Sequence, residues 1–215
     1  MNLASQDIRL LIVADRDYVG DDARWLDILE RLGAAAPDRP LAIQVRMHGV
    51  EEHTRADLAM RARERVPHGV PLLLNGEASL AERLGYDGVH WREHAIPNTH
   101  SAQTMRYLTA SVHSIEAIRR AEQAGVDTVL FGAVRAPGSH PGTGAGIDAL
   151  REVARATDLE VIAIGGIQPE HVEECMRAGA AGVAVVSGIL GADDVNAAID
   201  RYLQAIEAAM EGIRA

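Results

Sequence analysis

Eight short apolar runs, separated by longer segments with helical spacing, are the feature of this 215-residue sequence that most constrains its fold. Several runs are almost entirely apolar, which is typical of strands in a parallel sheet that is buried on both faces. Such a sheet needs helices over its outer face, and eight β/α pairs are enough to close it into a barrel. The predicted strands are Leu10–Ala14, Leu41–Val45, Pro71–Leu74, Gly88–Trp91, Leu108–Val112, Thr128–Gly132, Val161–Ile164 and Gly182–Val186.

The segments between these runs carry apolar residues at three- and four-residue spacing, which predicts helices. Three of them end in the same way, with a glycine after the last turn and a strand soon after: RLGYDGV, QAGVDTV and RAGAAGV. The segment after the fourth run contains Pro97 and little apolar periodicity, so its helix is expected to be short or replaced by a loop. The predicted helices are Trp25–Leu32, Glu51–Arg65, Ser79–Leu84, Ser114–Ala124, Ile147–Ala156, Pro169–Ala178 and Asp193–Met210.

These patterns predict an α/β protein in which residues 1–215 form a single (β/α)8 TIM-barrel domain. An open, doubly wound sheet is the alternative, because it shows the same alternation of strands and helices. It rarely needs eight units. The single cysteine, Cys175, lies in a helical pattern and is expected to be packed rather than reactive.

The composition restricts both the partners and the chemistry. The net charge of −10 argues against a broad electrostatic surface for nucleic acid or an anionic membrane, and it favours a small-molecule ligand. All 21 basic residues are arginine, so Schiff-base catalysis through lysine is excluded. The sequence has no apolar stretch of membrane-spanning length and no signal-peptide pattern at its start, so a cytoplasmic protein is expected.

Two glycine-bearing segments follow the last two predicted strands. The first contains Gly165 and Gly166, and the second contains Ser187 and Gly188. Glycine lets backbone N–H groups approach an anion without a Cβ in the way, and barrel enzymes often bind phosphate after strands seven and eight. We therefore predict that these four residues bind the phosphate of a small ligand. Glycines that only close tight turns are the alternative explanation.

Further motifs lie along nearly the whole chain, most of them in its second half. They are Leu74-Asn75 with Leu80-Ala81, Asp87 to His90, Ser111 to Ser114, Phe131 to Val134, Ala163 to Ile167 and Gly182 to Ile189. Together they resemble the thiamin phosphate synthase and TenI (thiazole tautomerase) family. The resemblance implies a TIM barrel that binds a heteroaromatic phosphate, and it is more specific to the superfamily than to one reaction.

For the synthases of this family, the resemblance implies a reaction of two substrates. An aminomethylpyrimidine pyrophosphate loses pyrophosphate to Mg²⁺ and basic side chains, while the nitrogen of a thiazole phosphate attacks the pyrimidine methylene. Gln44 and Arg46 are in register with the family's pyrimidine and pyrophosphate segment, but His48 stands where the synthases have lysine. Neutral imidazole neutralises a pyrophosphate less well than lysine does.

The resemblance also implies two carboxylate ligands for Mg²⁺, and both are replaced. This chain has Asn75-Gly76 instead of an Asn-Asp pair, and the histidine-alanine pair that begins at His94 instead of a second aspartate. Glu77 and Glu93 lie within two residues of these places and are alternative ligands, although a shifted carboxylate seldom rebuilds near-octahedral geometry. Mg²⁺ is therefore expected only if the chain is a synthase.

The tautomerase branch of the family implies proton transfer without a metal. Its catalytic histidine follows the glycine of strand six, but this chain has Ala133 after Gly132. His113, His90 and His140 are predicted to lie toward the same mouth, and each is of a type that can titrate near neutrality. A structural hydrogen-bonding role is the favoured alternative for His113 and His90, while a surface loop without a role is the alternative for His140. The candidate catalytic residues are His113, His140 and Arg46, and the candidate substrate-binding residues are Gln44, Arg46, Asn75, Ser111 and Gly132.

Three hypotheses remain at this point. The leading one is a TenI-like, metal-independent enzyme that uses acid/base chemistry on a thiazole phosphate or a similar heteroaromatic phosphate. The second is a thiamin phosphate synthase in which Arg46 and Arg92 partly replace the lysines. The third is a non-catalytic homologue that binds thiamin phosphates and regulates a partner. The outer helices of small barrels often pair, so a homodimer is one expected assembly.

Overall fold

Eight parallel strands form a closed barrel in the described part of this computed structural model, which covers residues 8–99, 104–136 and 144–214. Each strand pairs with the next along the chain, and the last pairs with the first. This order confirms the predicted TIM barrel over the open-sheet alternative. The strands are β1 (Leu10–Asp15), β2 (Leu41–Arg46), β3 (Leu72–Asn75), β4 (Gly88–Trp91), β5 (Tyr107–Val112), β6 (Thr128–Phe131), β7 (Glu160–Ile164) and β8 (Gly182–Val185).

The helices cover the outer face of the barrel. Two of them, α1 and α8, consist of a single turn at the ends of strands and were not predicted. In the described residues the helices are α1 (Arg16–Val19), α2 (Asp22–Ala35), α3 (Glu52–Arg65), α4 (Ala78–Arg83), α5 (Ile115–Ala124), α6 (Ile147–Arg155), α7 (Val172–Arg177), α8 (Ser187–Leu190) and α9 (Val195–Arg214).

The helix boundaries differ from the prediction where capping groups decide them. The second helix begins three residues earlier than its apolar pattern, because Asp21 caps it by accepting a hydrogen bond from the backbone N–H of Arg24. The predicted helix Pro169–Ala178 begins with a 3-10 turn, and a capping box between Gln168 and His171 closes its start. After β4 there is only a 3-10 turn, Glu93–Ala95, as the proline-containing segment predicts.

The apolar side chains divide into two clusters according to the face of the strand they occupy. The smaller cluster fills the barrel interior with alternate strand residues such as Leu11, Leu73 and Ile162. The larger cluster lies between the outer face of the barrel and the helices, and it includes Trp25 of α2. Cys175 is fully buried there, and burial raises the pKa of its thiol to about 11, which confirms a packed rather than reactive cysteine.

The repeated glycine motif ends three helices as predicted. Gly85, Gly125 and Gly179 all have positive φ, at 71°, 74° and 107°. Each of these turns leads within three residues into the next strand. All eight strands pair in parallel, so their carboxyl ends surround a common mouth. Among the described residues, no helix combines the length and apolar character needed to cross a membrane.

Candidate active site

A cavity of about 1170 Å³ opens at the carboxyl ends of the strands. Its wall is formed by residues from or just after all eight strands, so distant parts of the sequence meet there. The lining residues are Val13, Asp15, Asp17, Tyr18, Gln44, Arg46, His48, Asn75, His90, Arg92, Glu93, His94, Ser111, His113, Arg120, Leu130, Gly132, Ala133, Ile164, Gly165 and Val186. Most of the predicted catalytic and substrate-binding residues are therefore on one surface.

Two guanidinium groups share one imidazole on the β2–β4 side of this cavity. The Arg46 Nε group contacts Nε2 of His48, and the Arg92 guanidinium contacts Nδ1 of the same ring. Burial lowers the pKa of His48, and the positive charges of Arg46 and Arg92 lower it further. A neutral imidazole accepts a hydrogen bond at only one nitrogen, so one of the two guanidinium groups faces a ring N–H. An anion would be a better partner for that group.

Two aspartates at the end of β1 also belong to the site, and the sequence interpretation missed them. Asp15 is buried and lies 3.5 Å from the Arg46 Nε atom, while Asp17 accepts a hydrogen bond of 3.0 Å from the backbone N–H of His48. Together they hold the β2 loop that carries the imidazole. The only available signal was position, since Asp15 directly follows an apolar strand.

The amide side chains of Gln44 and Asn75 line the floor of the cavity. Asn75 donates a hydrogen bond of 3.4 Å from Nδ2 to Oε1 of Gln44. The Gln44 side chain is only 2% exposed, and its Nε2 group has no partner among the described residues. A buried, unpaired amide donor costs free energy, so a ligand that offers an acceptor there is favoured.

His90 lies below the cavity surface between two hydroxyl groups. Its Nδ1 is 2.9 Å from the Thr109 hydroxyl oxygen, and its Nε2 is 2.8 Å from that of Ser111. Thr109 donates its own proton to the carbonyl oxygen of Val89, so it accepts from Nδ1–H of the imidazole. The Nε2 atom then accepts the Ser111 hydroxyl proton, which leaves the serine oxygen lone pairs for a ligand. The expected structural role of His90 agrees with this geometry.

Glu93 is held by cationic and polar groups around the loop after β4. His113 lies 2.7 Å from Glu93 through its Nδ1 atom, the Ser114 hydroxyl donates to the same carboxylate at 3.4 Å, and the Arg120 guanidinium is 3.7 Å away. His113 is exposed at the rim, where it lines the cavity. Its predicted catalytic role stays a prediction.

The resemblance to synthases implies Mg²⁺, which would need free carboxylate oxygens at this mouth. Glu93 is engaged as described, and Glu77 lines a separate cavity of about 430 Å³ between α3 and α4. Within residues 8–99, 104–136 and 144–214, no three histidine, cysteine or acidic side chains are grouped so as to hold a metal ion. Since Mg²⁺ prefers several oxygen ligands in near-octahedral arrangement, the described residues do not fit it.

The opposite side of the mouth is built from backbone after β6, β7 and β8. Gly132, Gly165 and Val186 line the cavity there, and Gly166, Ser187 and Gly188 are their sequence neighbours. Ala133 occupies the position where the resemblance to tautomerases implies a catalytic histidine. His140, the third candidate catalytic residue, lies outside the described residues.

Each of these glycines also has a packing reason. A Cβ on Gly132 would lie 2.0 Å from the carbonyl oxygen of Ile164, and one on Gly165, whose φ is 100°, would lie 2.5 Å from Cα of Ala133. A Cβ on Gly188 would lie 2.2 Å from the Tyr202 hydroxyl of α9. Close packing alone is therefore a sufficient reason for these glycines. Phosphate binding at Gly165, Gly166, Ser187 and Gly188 stays a prediction.

Comparisons with known proteins agree with these motifs. The TMP-TENI family profile, described as thiamine monophosphate synthase, matches residues 10–189. A thiamine-phosphate synthase of Albidiferax ferrireducens is 29% identical over 209 residues, which cover 94% of each chain. The thiamine biosynthesis bifunctional protein ThiM/ThiE of Symbiobacterium thermophilum is 35% identical over 173 residues, 78% of this chain and 36% of that protein. The match thus spans about a third of the bifunctional relative's length.

A solved structure shares this fold. Thiamine phosphate pyrophosphorylase from Pyrococcus furiosus superimposes with a TM-score of 0.75 at 24% identity, and the match covers 95% of this chain and 98% of that one. This likeness concerns the fold alone. The family profile extends from the first strand to the helix after the last strand, and so includes every strand that surrounds the cavity. By its sequence and its barrel, this chain belongs to the thiamine monophosphate synthase family.

Proposed function

We propose that this chain joins an aminomethylpyrimidine diphosphate to a thiazole phosphate, the synthase reaction of its family. The observation that carries the proposal is the Arg46–His48–Arg92 cluster on the β2–β4 side of the cavity. It lies across the closed barrel from the glycine-bearing loops after β7 and β8. Two regions with groups suited to anions, on opposite walls, would serve two anionic substrates, whereas a tautomerase needs only one.

The reaction moves electron pairs but requires no net proton transfer. The bond between the pyrimidine methylene carbon and the diphosphate oxygen breaks, and its electron pair leaves with the diphosphate. The lone pair of the thiazole nitrogen forms the new carbon–nitrogen bond, and the positive charge appears on the thiazolium. The main demand on the protein is to stabilise negative charge on the departing diphosphate. Guanidinium groups supply this through paired N–H donors.

Other cavity residues have roles that follow from their free hydrogen-bonding groups. The unpaired Nε2 group of Gln44 is a donor for a ring nitrogen of the pyrimidine, and Asn75 orients that amide. The Ser111 oxygen offers lone pairs to a ligand in the cavity because its proton is donated to His90. We assign Gly165, Gly166, Ser187 and Gly188 to the thiazole phosphate, as the sequence predicts.

The relatives' names favour this reaction over the tautomerase-type chemistry that leads the sequence interpretation. The tautomerase hypothesis also lacks its histidine after Gly132, where Ala133 stands. The exposed His113 is engaged by Glu93, so no specific observation favours it as the replacement base. A non-catalytic, regulatory homologue is an outcome of the experiment below.

The proposal is tested by incubating the purified protein with both substrates, with and without Mg²⁺, and measuring thiamin phosphate and released diphosphate. We expect both products in equal amounts. Arg46→Gln is expected to lower kcat/KM by about a hundredfold, because it removes a charged donor to the leaving group. Arg119→Gln, on the exposed face of α5, is the matched control and should keep wild-type activity.

Isomerisation of a thiazole carboxylate phosphate without condensation would replace the proposal with the tautomerase hypothesis. Binding of thiamin phosphate without turnover of either substrate would favour the regulatory homologue. Equal activities for Arg46→Gln and Arg119→Gln would show that the arginine cluster takes no part in the reaction.

A further inference from the structure

Arg92 lies in the part of the mouth where the family resemblance implies a metal-binding aspartate. It is in the loop after β4, two positions before His94. Its guanidinium group reaches His48, which is 44 positions away in the sequence, so it faces the diphosphate side of the cavity. A fixed cation therefore stands near the place where a divalent cation would be expected.

The three carboxylates on the cavity wall are engaged by other groups of the chain. Asp15 lies against Arg46, and Asp17 accepts the backbone N–H of His48. Glu93 is surrounded by a histidine, a serine and an arginine. Capture of Mg²⁺ would have to break several of these contacts before any oxygen became free to coordinate it.

The two guanidinium groups of the cluster differ in their charge environment. Arg46 has Asp15 at 3.5 Å, whereas Arg92 has no carboxylate within ion-pair distance among the described residues. The exposed Arg92 side chain contacts only the imidazole of His48 in this cluster. Among the three arginines that line the cavity, Arg92 is thus the one without a carboxylate partner in the described residues.

We propose that Arg92, together with Arg46, binds the diphosphate in place of a divalent cation, so that this chain neutralises its leaving group without Mg²⁺. The inference rests on the proposed function for the identity of the diphosphate. Each guanidinium group presents a planar fork of N–H donors that matches two phosphate oxygens, and an anion between the two forks replaces the shared imidazole contact. The charge that Mg²⁺ would supply comes instead from two fixed side chains.

A binding consequence separates this arrangement from a metal site. Mg²⁺ in solution forms a complex with pyrophosphate and reduces its negative charge. If guanidinium groups recognise the free anion, added Mg²⁺ weakens binding, whereas a metal-dependent site binds more tightly when Mg²⁺ is present.

The experiment is a calorimetric titration of the full chain with inorganic pyrophosphate, in metal-depleted buffer and again at saturating Mg²⁺. We expect binding in the metal-depleted buffer and weaker binding with Mg²⁺. Arg92→Gln should raise the Kd in metal-depleted buffer by about tenfold or more, because it removes a charge-assisted fork. Arg92→Lys keeps the charge but not the fork, so its Kd should lie between those of the wild type and Arg92→Gln. Arg119→Gln is the control for general loss of positive charge.

Pyrophosphate binding that appears only with Mg²⁺ would overturn the inference, as would equal Kd values for Arg92→Gln and Arg119→Gln. Thermal unfolding of each variant checks that the exposed substitution leaves the fold intact. Turnover of the two substrates in metal-depleted buffer should be within about threefold of the rate with Mg²⁺. If condensation fails under both conditions but pyrophosphate still binds through Arg92, the proposed function fails while the metal-free anion site stands.

Discussion

At the residue scale, the buried imidazole of His90 links the stability of the barrel to pH. It bridges the hydroxyl groups of Thr109 and Ser111 across β4 and β5, and it is only 2% exposed. Burial lowers its pKa to about 3, and the positive charges of Arg46 and Arg92 act in the same direction. In the unfolded chain, a histidine has a pKa near 6.5. Between these values the unfolded state binds one more proton than the folded state.

The free energy of unfolding is therefore expected to fall as the pH is lowered from about 6.5 towards 3, with His90 contributing up to about 1.4 kcal/mol per pH unit. His90→Asn removes the titrating group, so its unfolding free energy should depend less steeply on pH in this window, although the variant is less stable at neutral pH. Chemical denaturation at a series of pH values measures both slopes. His68→Asn, at an exposed loop position, is the control. Equal slopes for all three proteins would contradict the assignment.

At the element scale, two aspartates join neighbouring strands by the same two-way contact. Asp87, just before β4, donates its backbone N–H to the carbonyl of Leu72 and accepts the Leu72 N–H through its carboxylate at 3.0 Å. Asp127, just before β6, makes the same pair of bonds with Leu108. These contacts satisfy the backbone N–H and C=O groups of Leu72 and Leu108 near the amino ends of β3 and β5.

Removal of the Asp87 carboxylate should lower the free energy of unfolding markedly, because the Arg63 guanidinium group also pairs with it. Asp87 also lies 3.6 Å from the guanidinium group of Arg63, whose side chain is only 8% exposed. Asp87→Ala is expected to lower the free energy of unfolding by about 2 to 4 kcal/mol, since it leaves the buried charge of Arg63 without its ion-pair partner and the Leu72 N–H without its acceptor. Asp57→Ala, which removes an exposed helical ion pair with Arg61, should change it by less than about 0.5 kcal/mol. Urea denaturation compares the two, and similar losses would argue against the buried contact.

At the scale of the whole molecule, the barrel depends on the contact between its last strand and its first. This junction pairs three residues of β1 with three of β8, as many as pair β2 with β3. Arg9 strengthens it, because its carbonyl oxygen accepts the Val183 N–H at 2.9 Å and its guanidinium group donates to the carbonyl of Ala181. Gly182 permits this approach, since a Cβ there would lie 2.2 Å from the Arg9 carbonyl oxygen.

Gly182→Ala should therefore destabilise the entire barrel, with an expected loss of about 3 kcal/mol or more, because backbone must move at the closing junction. Gly212→Ala is the matched substitution within α9. Its new Cβ would meet only the Arg177 side chain, at 3.7 Å, so it should be neutral or stabilising by up to about 1 kcal/mol. Thermal unfolding of both variants is the measurement. A Gly182→Ala protein as stable as the wild type would show that the junction can open without cost.

Much of the barrel was predictable because its signals are local. Each predicted strand agrees with the observed one to within one residue at either end, since a buried parallel strand must be an apolar run. Gln44, Arg46 and Asn75 were predicted at the site because their motifs resemble those of the family, and each lies within or directly after such a run. The roles of these residues are not fixed by that position, because any of several ligands could meet them there.

The contacts that give the site its chemistry were decided by the tertiary structure. Local patterns in the sequence are enough to predict eight β/α units, a barrel and the residues that end its strands, because hydrophobic periodicity and helix caps act over a few residues. Only barrel closure brought His48 between Arg46 and Arg92, surrounded Glu93 with His113 and Arg120, and left the amide of Gln44 without a partner. Charge pairing and desolvation depend on neighbours that are tens of positions apart in the chain. A local sequence pattern does not show how close such residues lie in space.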